Sequence, residues 1–78
     1  MGRLNPTYAR QQLLQAVADG KVSRYGDRKT YLEAYKDVTY QIGLAEEAGW
    51  VELGGQVFPG KHRWQLTEAG RQILEAKP

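Results

Sequence analysis

The chain contains no cysteine, which excludes disulfide frameworks, thiolate metal sites and cysteine nucleophiles together. Its single histidine, His62, cannot supply a structural zinc site, which wants four Cys/His ligands, or most catalytic ones, which want three protein ligands. Ser23 is the only serine, and no serine, histidine and acid constellation accompanies it. Glu46 and Glu47 are adjacent and point to different helix faces, so they are no acid/base pair. Glycine-rich phosphate loops are missing too, because Gly54-Gly55 lies between strand-like segments and opens no helix. The expectation is a non-enzyme without cofactor or metal. Apolar runs stop at three residues, as in Ala16-Val17-Ala18, too short for a membrane span or a signal-peptide core. A soluble, cytoplasmic domain with no membrane contact is expected.

The 78 residues, 41% of them hydrophobic, suffice for one small domain with residues 1–4 as a tail. A chain this short buries only about 60–65% of its unfolded surface, so its core is thin. Eleven bases against nine acids leave a net charge of +2, which permits a nucleic-acid partner without demanding one.

Punctuation and periodicity divide the chain. Asn5-Pro6 reads as a helix start, with Asn5 as N-cap and Pro6 at the first helical position. Ala9, Leu13, Ala16 and Val17 form one face of that helix, and Gly20 stops it. Lys21 to Tyr25 predicts a short edge strand with Val22 inward, closed by Gly26-Asp27. Thr30 to Ala48 admits two readings. Thr30-x-x-Glu33 has the form of a capping box, and Tyr31, Tyr35, Val38, Ile42 and Ala45 recur at helical spacing. One long helix fits; so do two, with Asp37 as the second N-cap. Gly49 ends either version. From Trp50 the pattern becomes strand-like, with Gly54-Gly55, a Pro59-Gly60 type II turn signal, and alternation through His62-Arg63-Trp64-Gln65-Leu66. Those features predict a β-hairpin. Thr67 then caps a last helix carrying Ala69, Ile73 and Leu74.

The order helix, short strand, one or two helices, hairpin, helix resembles the winged helix-turn-helix family, of the kind seen in MarR-type and PadR-type repressors. Leu44-Ala45-Glu46-Glu47-Ala48-Gly49-Trp50-Val51 looks like the end of that family's recognition helix and the first wing strand. Trp64-Gln65-Leu66-Thr67-Glu68-Ala69-Gly70-Arg71 looks like the second wing strand entering a C-terminal helix. The resemblance covers roughly residues 6–76 and leaves residues 54–61 as a wing loop. It implies an α+β winged domain that binds double-stranded DNA, singly or as a homodimer, in the manner of a small transcriptional regulator or a phage- or plasmid-type accessory protein. The helix before Gly49 would enter the major groove. The long dimerisation helices of MarR-type members have no room here.

Charge placement bears on that reading. Lys21, Arg24, Arg28, Lys29 and Lys36 outnumber Asp27 and Glu33, and Lys61, His62 and Arg63 sit in the hairpin without an acid. Between Asp37 and Glu52 there are four acids and no base, so the presumed recognition helix is acidic toward its end. Such a helix contacts bases with its N-terminal half, which makes Thr39, Tyr40, Gln41 and Gly43 the candidates for groove contact. Arg28, Lys29, Lys36, Lys61, His62 and Arg63 are the candidates for the flanking DNA contacts. The bland reading gives these charges to solvent and Gly43 to helix packing. The aromatics Tyr31, Tyr35, Trp50 and Trp64 suggest stacking platforms for single-stranded nucleic acid, but a chain with so few large aliphatics needs them in the core, which is the better reading. The competing class is a winged-helix module that docks a protein. The two separate on the surface map: Lys36, Lys61 and Arg63 on one face with Gln41 would favour DNA, whereas a scattered set would favour a protein.

Overall fold

The computed structural model describes residues 4–26 and 29–76. In chain order these form α1 (Tyr8–Ala18), β1 (Val22–Tyr25), β2 (Thr30–Leu32), a 3-10 turn (Glu33–Tyr35), β3 (Lys36–Asp37), α2 (Thr39–Glu47), β4 (Val51–Phe58), β5 (Lys61–Leu66) and α3 (Glu68–Glu75). The fold is α+β. The strands make one antiparallel sheet in the order β3-β2-β1-β5-β4.

Local signals explain much of this. Gly20 and Gly49 take φ of 75° and 81°, the left-handed stops expected after α1 and α2. The Pro59-Gly60 pair closes the hairpin, with Gly60 at φ 88°, as a type II turn requires. Thr67 caps α3, its hydroxyl accepting from Gly70 N at 3.0 Å.

Four sequence expectations are corrected. The N-cap of α1 is Thr7, whose hydroxyl accepts from Arg10 N at 3.2 Å. Asn5 instead offers its carbonyl to Thr7 N and to the Arg10 guanidinium. Strand β1 is central, paired with β2 on one side and β5 on the other, because the residues after it fold back as a further strand. Thr30 starts that strand and caps no helix, so the interval before α2 contains β2, the 3-10 turn and β3. Gly54-Gly55 is not a loop: β4 runs through it with register shifts between Leu53 and Gln56 and again before Phe58.

Cross-strand partners share a face, so the register sorts the sheet's side chains. One face carries Val22, Thr30, Leu32, Val51, Leu53, Trp64 and Leu66, and the helices lie on it. Leu14, Val17, Ile42 and Ala45 complete this core, with Leu13 and Ile73 packed at its margin. Trp50 and Trp64 are buried, as the core reading of the tryptophans anticipated. The opposite face carries Ser23, Tyr25, Tyr31, Lys61, Arg63 and Gln65. Polar groups also tie the helices together. Buried Gln11 of α1 donates from Nε2 to the carbonyls of Ile73 and Ala76, at 3.0 and 3.3 Å, which satisfies the end of α3.

Two glycines inside helices have opposite roles. A Cβ on Gly70 would fall 1.9 Å from the Trp50 carbonyl oxygen, whereas one on Gly43 would meet nothing within 4 Å. Helix propensity favours alanine at either position by up to about 1 kcal/mol. Gly70→Ala is therefore expected to lose about 2 kcal/mol or more, because backbone overlap outweighs propensity. Gly43→Ala is expected to gain roughly 0.5–1 kcal/mol. Urea denaturation of the two variants beside the parent checks both signs.

Candidate functional site

The hairpin tip and the start of α2 lie at the same end of the sheet, and Thr30 sets the position of that helix start. Thr30 is 2% exposed. Its N–H donates to Thr39 Oγ1 at 2.8 Å, and its carbonyl accepts from Val38 N at 3.0 Å and from the Thr39 hydroxyl at 3.3 Å. Its own hydroxyl accepts from Trp64 Nε1 at 3.2 Å. The first turn of α2 is thereby fastened to β2 and, through Trp64, to β5. Asp37 adds a bond from outside, its Oδ1 accepting from Thr39 N at 2.9 Å. That backbone bond, with the Thr39 side chain and the charge of Lys29, holds the Asp37 carboxyl below its ordinary value of 3.8.

The strand register then gathers the basic residues. Arg24 pairs with both Thr30 and His62, and Tyr25 pairs with Lys61, so Arg24, Lys29, Lys61 and His62 lie at this same end. Gly26 approaches the Gly60 backbone there, a Cβ on Gly26 lying 3.9 Å from the Gly60 oxygen. Tyr40, 73% exposed, stands on the adjoining first turn of α2. Arg28 lies outside the described residues.

Other expected site residues go elsewhere. Lys36 and Gln41 line an open groove of about 990 Å³ between α1 and the β2–β3 edge, floored by Ala9, Leu13, Ala16, Leu32 and Val38. Arg63 lies on the uncovered sheet face, and its side chain runs past Gly20, 3.6 Å from where a Cβ there would sit. A cation at that place also complements the C-terminal end of α1. Lys36 and Gln41 therefore do not share a face with Lys61 and Arg63; the set is scattered, the outcome that counts toward protein docking and against duplex binding. Thr39 is committed to Thr30 and is no groove contact. A Cβ on Gly43 would meet nothing within 4 Å, so no described neighbour requires a glycine there.

Sequence reasoning missed Tyr25 and misassigned Tyr35. Tyr35 is 80% exposed and takes φ 63°, and Tyr25 holds the Lys61 ammonium 5.6 Å from its ring centre. A signal existed: Val22 to Tyr25 and Thr30 to Leu32 flank a Gly26-Asp27 turn pair, which is a hairpin pattern. Among the described residues no group of three or more His or acidic side chains could hold a metal ion, and no helix is long and apolar enough to cross a membrane.

Comparison with known proteins adds little to this geometry. No family model matches the chain, and no solved structure matches it. The chain is similar to penicillin-binding protein 1A of Aquifex aeolicus (strain VF5), 34% identical over 68 residues. Those residues are 87% of this chain but 9% of that protein, so the chain spans a small part of the relative's length. The name describes that whole protein and assigns no activity here.

Two outcomes follow for the α2 anchor. Thr39→Val leaves the buried Thr30 N–H without a partner and is expected to cost about 1–3 kcal/mol in denaturant unfolding. Asp37 titrates lower in the folded state, so its contribution is present above 3.8 and is lost as pH falls through the folded value. The melting temperature of the parent should exceed that of Asp37→Asn at pH 7, and the gap should narrow below pH 3.8.

Proposed function

We propose that this domain binds double-stranded DNA, presenting the first turn of α2 to the major groove and the β4–β5 hairpin to the backbone, as a winged-helix domain does. One observation carries the reading: the Thr30 anchor and the strand register bring the start of α2, Lys29, Lys61 and His62 to the same end of the molecule. Cations near phosphates supply most duplex affinity, and a helix start beside them is positioned to read base edges. Tyr40 and Gln41 are the exposed side chains of that turn, and Gly43 leaves the helix surface flat beyond them. The acids Glu46 and Glu47 stand at the other end of α2, away from the hairpin tip. In place of a second inner helix, the β2–β3 segment would support α2. A small transcriptional regulator or accessory DNA-binding protein is the role this implies.

A second reading has its own support. Lys36 and Gln41 line the apolar-floored groove beside α1, apart from the hairpin cations, as a surface for docking a protein segment would have it. Salt-dependent titration separates the two. Lys61→Ala should weaken binding to every duplex about equally and lower the slope of log affinity against log salt by roughly one. Gln41→Ala should instead reduce discrimination between sites by about 1–3 kcal/mol with the slope nearly unchanged. If the parent binds no duplex at low salt, the DNA reading falls and the groove beside α1 takes its place.

A further inference from the structure

A stripe of aromatic rings crosses the sheet face that the helices leave uncovered. From the hairpin tip to the far edge it contains Phe58 of β4, Tyr25 of β1, Tyr31 of β2 and Tyr35 of the 3-10 turn. The Lys61 ammonium joins the first two, 5.4 Å from the Phe58 centroid and 5.6 Å from that of Tyr25. Tyr25 and Tyr31 are tilted at 58° with centroids 5.7 Å apart, and Tyr31 meets Tyr35 edge-on at 6.2 Å.

These rings are not core. Phe58 is 53% exposed, Tyr35 is 80% exposed, and Tyr25 and Tyr31 are only half-buried. Tyr35 holds its ring out from a left-handed backbone, a conformation costly for a bulky residue and concentrated at functional positions. Lys61 and Arg63 face the stripe, and neither is in an ion pair among the described residues; Lys21 meets Glu33 only at 3.9 Å. Acids stand at the opposite margin, with Asp37 paired in register to Tyr31 and Glu33 in the 3-10 turn. The cleft lined by Tyr25, Tyr31, Tyr35, Glu33, Lys61 and Arg63 holds about 220 Å³, smaller than the roughly 300–1,000 Å³ of pockets that enclose small molecules. Its shape suits a flat ring laid on a surface.

Exposed π-faces beside unpaired cations make the surface that holds unpaired bases and their phosphates. A duplex cannot use it, because its bases are already stacked on one another. We propose that the uncovered sheet face binds single-stranded nucleic acid, with bases stacked on Tyr31 and Tyr35 and the backbone over Lys61 and Arg63. The acids at the β2–β3 margin repel phosphate and so fix which side the backbone takes. This site goes beyond duplex binding by α2, shares only Lys61 with it, and stands if that reading fails.

Fluorescence-anisotropy titration with labelled oligothymidylate, oligouridylate and a mixed-sequence duplex tests the proposal. Tyr35→Gly suits the backbone at φ 63° and removes only the ring, so it should keep the parent's melting temperature. Alone or with Tyr31→Ala, it should weaken single-strand binding roughly ten- to hundredfold and leave duplex binding unchanged. Equal loss for the two oligonucleotides would mean that ribose and deoxyribose are both accepted; loss for one alone would assign the site to that polymer. Tyr40→Ala removes an equally exposed tyrosine from α2 and should not affect the single strand. Unchanged oligonucleotide affinity in folded Tyr35→Gly and Tyr31→Ala variants would overturn the proposal. So would an absence of oligonucleotide binding by the parent at low salt, whatever the duplex does.

Discussion

Thr30 is the residue on which the arrangement of this small domain turns. Its amide, carbonyl and hydroxyl are all engaged, with Thr39, Val38 and Trp64 respectively. Buried polar groups are costly unless satisfied, so these bonds are satisfied together or the site is disrupted. The consequence is geometric. With Trp64 held by Thr30, the second hairpin strand and the start of α2 are fixed to the same residue, and neither can shift without exposing a buried donor. A domain of this size has little apolar surface to spend on orientation, and a shared hydrogen-bond node does that work with few atoms.

A second node closes the other end of α2. The Thr67 hydroxyl donates to the Gly49 carbonyl and accepts from Gly70 N, while Thr67 N donates to Trp50 O. The Trp50 carbonyl then lies against Gly70, where no side chain fits. Helix α3 is thus seated on the backbone that leaves α2, and Gln11 completes its far end from α1. All three helices are held on one face of the sheet by a few directed bonds around a modest core. Among the described residues no element covers the other face, and that asymmetry gives the protein two distinct surfaces: a helix start beside a basic hairpin tip, and a flat field of tyrosines.

The two surfaces meet at Lys61. Its ammonium sits over Phe58 and Tyr25 on the flat face, yet its strand begins at the hairpin tip beside Arg24 and His62. Cations placed on aromatic faces are partly ordered before any ligand arrives, which lowers the entropy lost on binding. Arg63 is ordered differently, laid along Gly20 at the end of α1. Neither arrangement is visible in the charge count, where both are simply two bases in a run without acids.

How much of this was legible in the sequence follows the range of the interactions. Helix α3, the body of α1 though not its cap, the glycine stops, the Pro59-Gly60 turn and the burial of both tryptophans rest on φ preference, local periodicity and, for α3, capping, and the residues alone determined them. The segment from Thr30 to Asp37 did not behave so. Tyr31 and Tyr35 sit at a helical spacing, but pairing with a central β1 outweighs that preference and draws Thr30 to Leu32 into the sheet. The same event turned Thr39 from a candidate groove contact into an anchor and moved Tyr31 and Tyr35 out of a presumed helix onto the uncovered face. It also split Lys36 and Gln41 from Lys61 and Arg63. Composition and periodicity determined which side chains this protein has and where most of its helices begin and end. Which of those side chains share a surface was decided by strand register, because register is set by partners distant in sequence and leaves no period of its own along the chain.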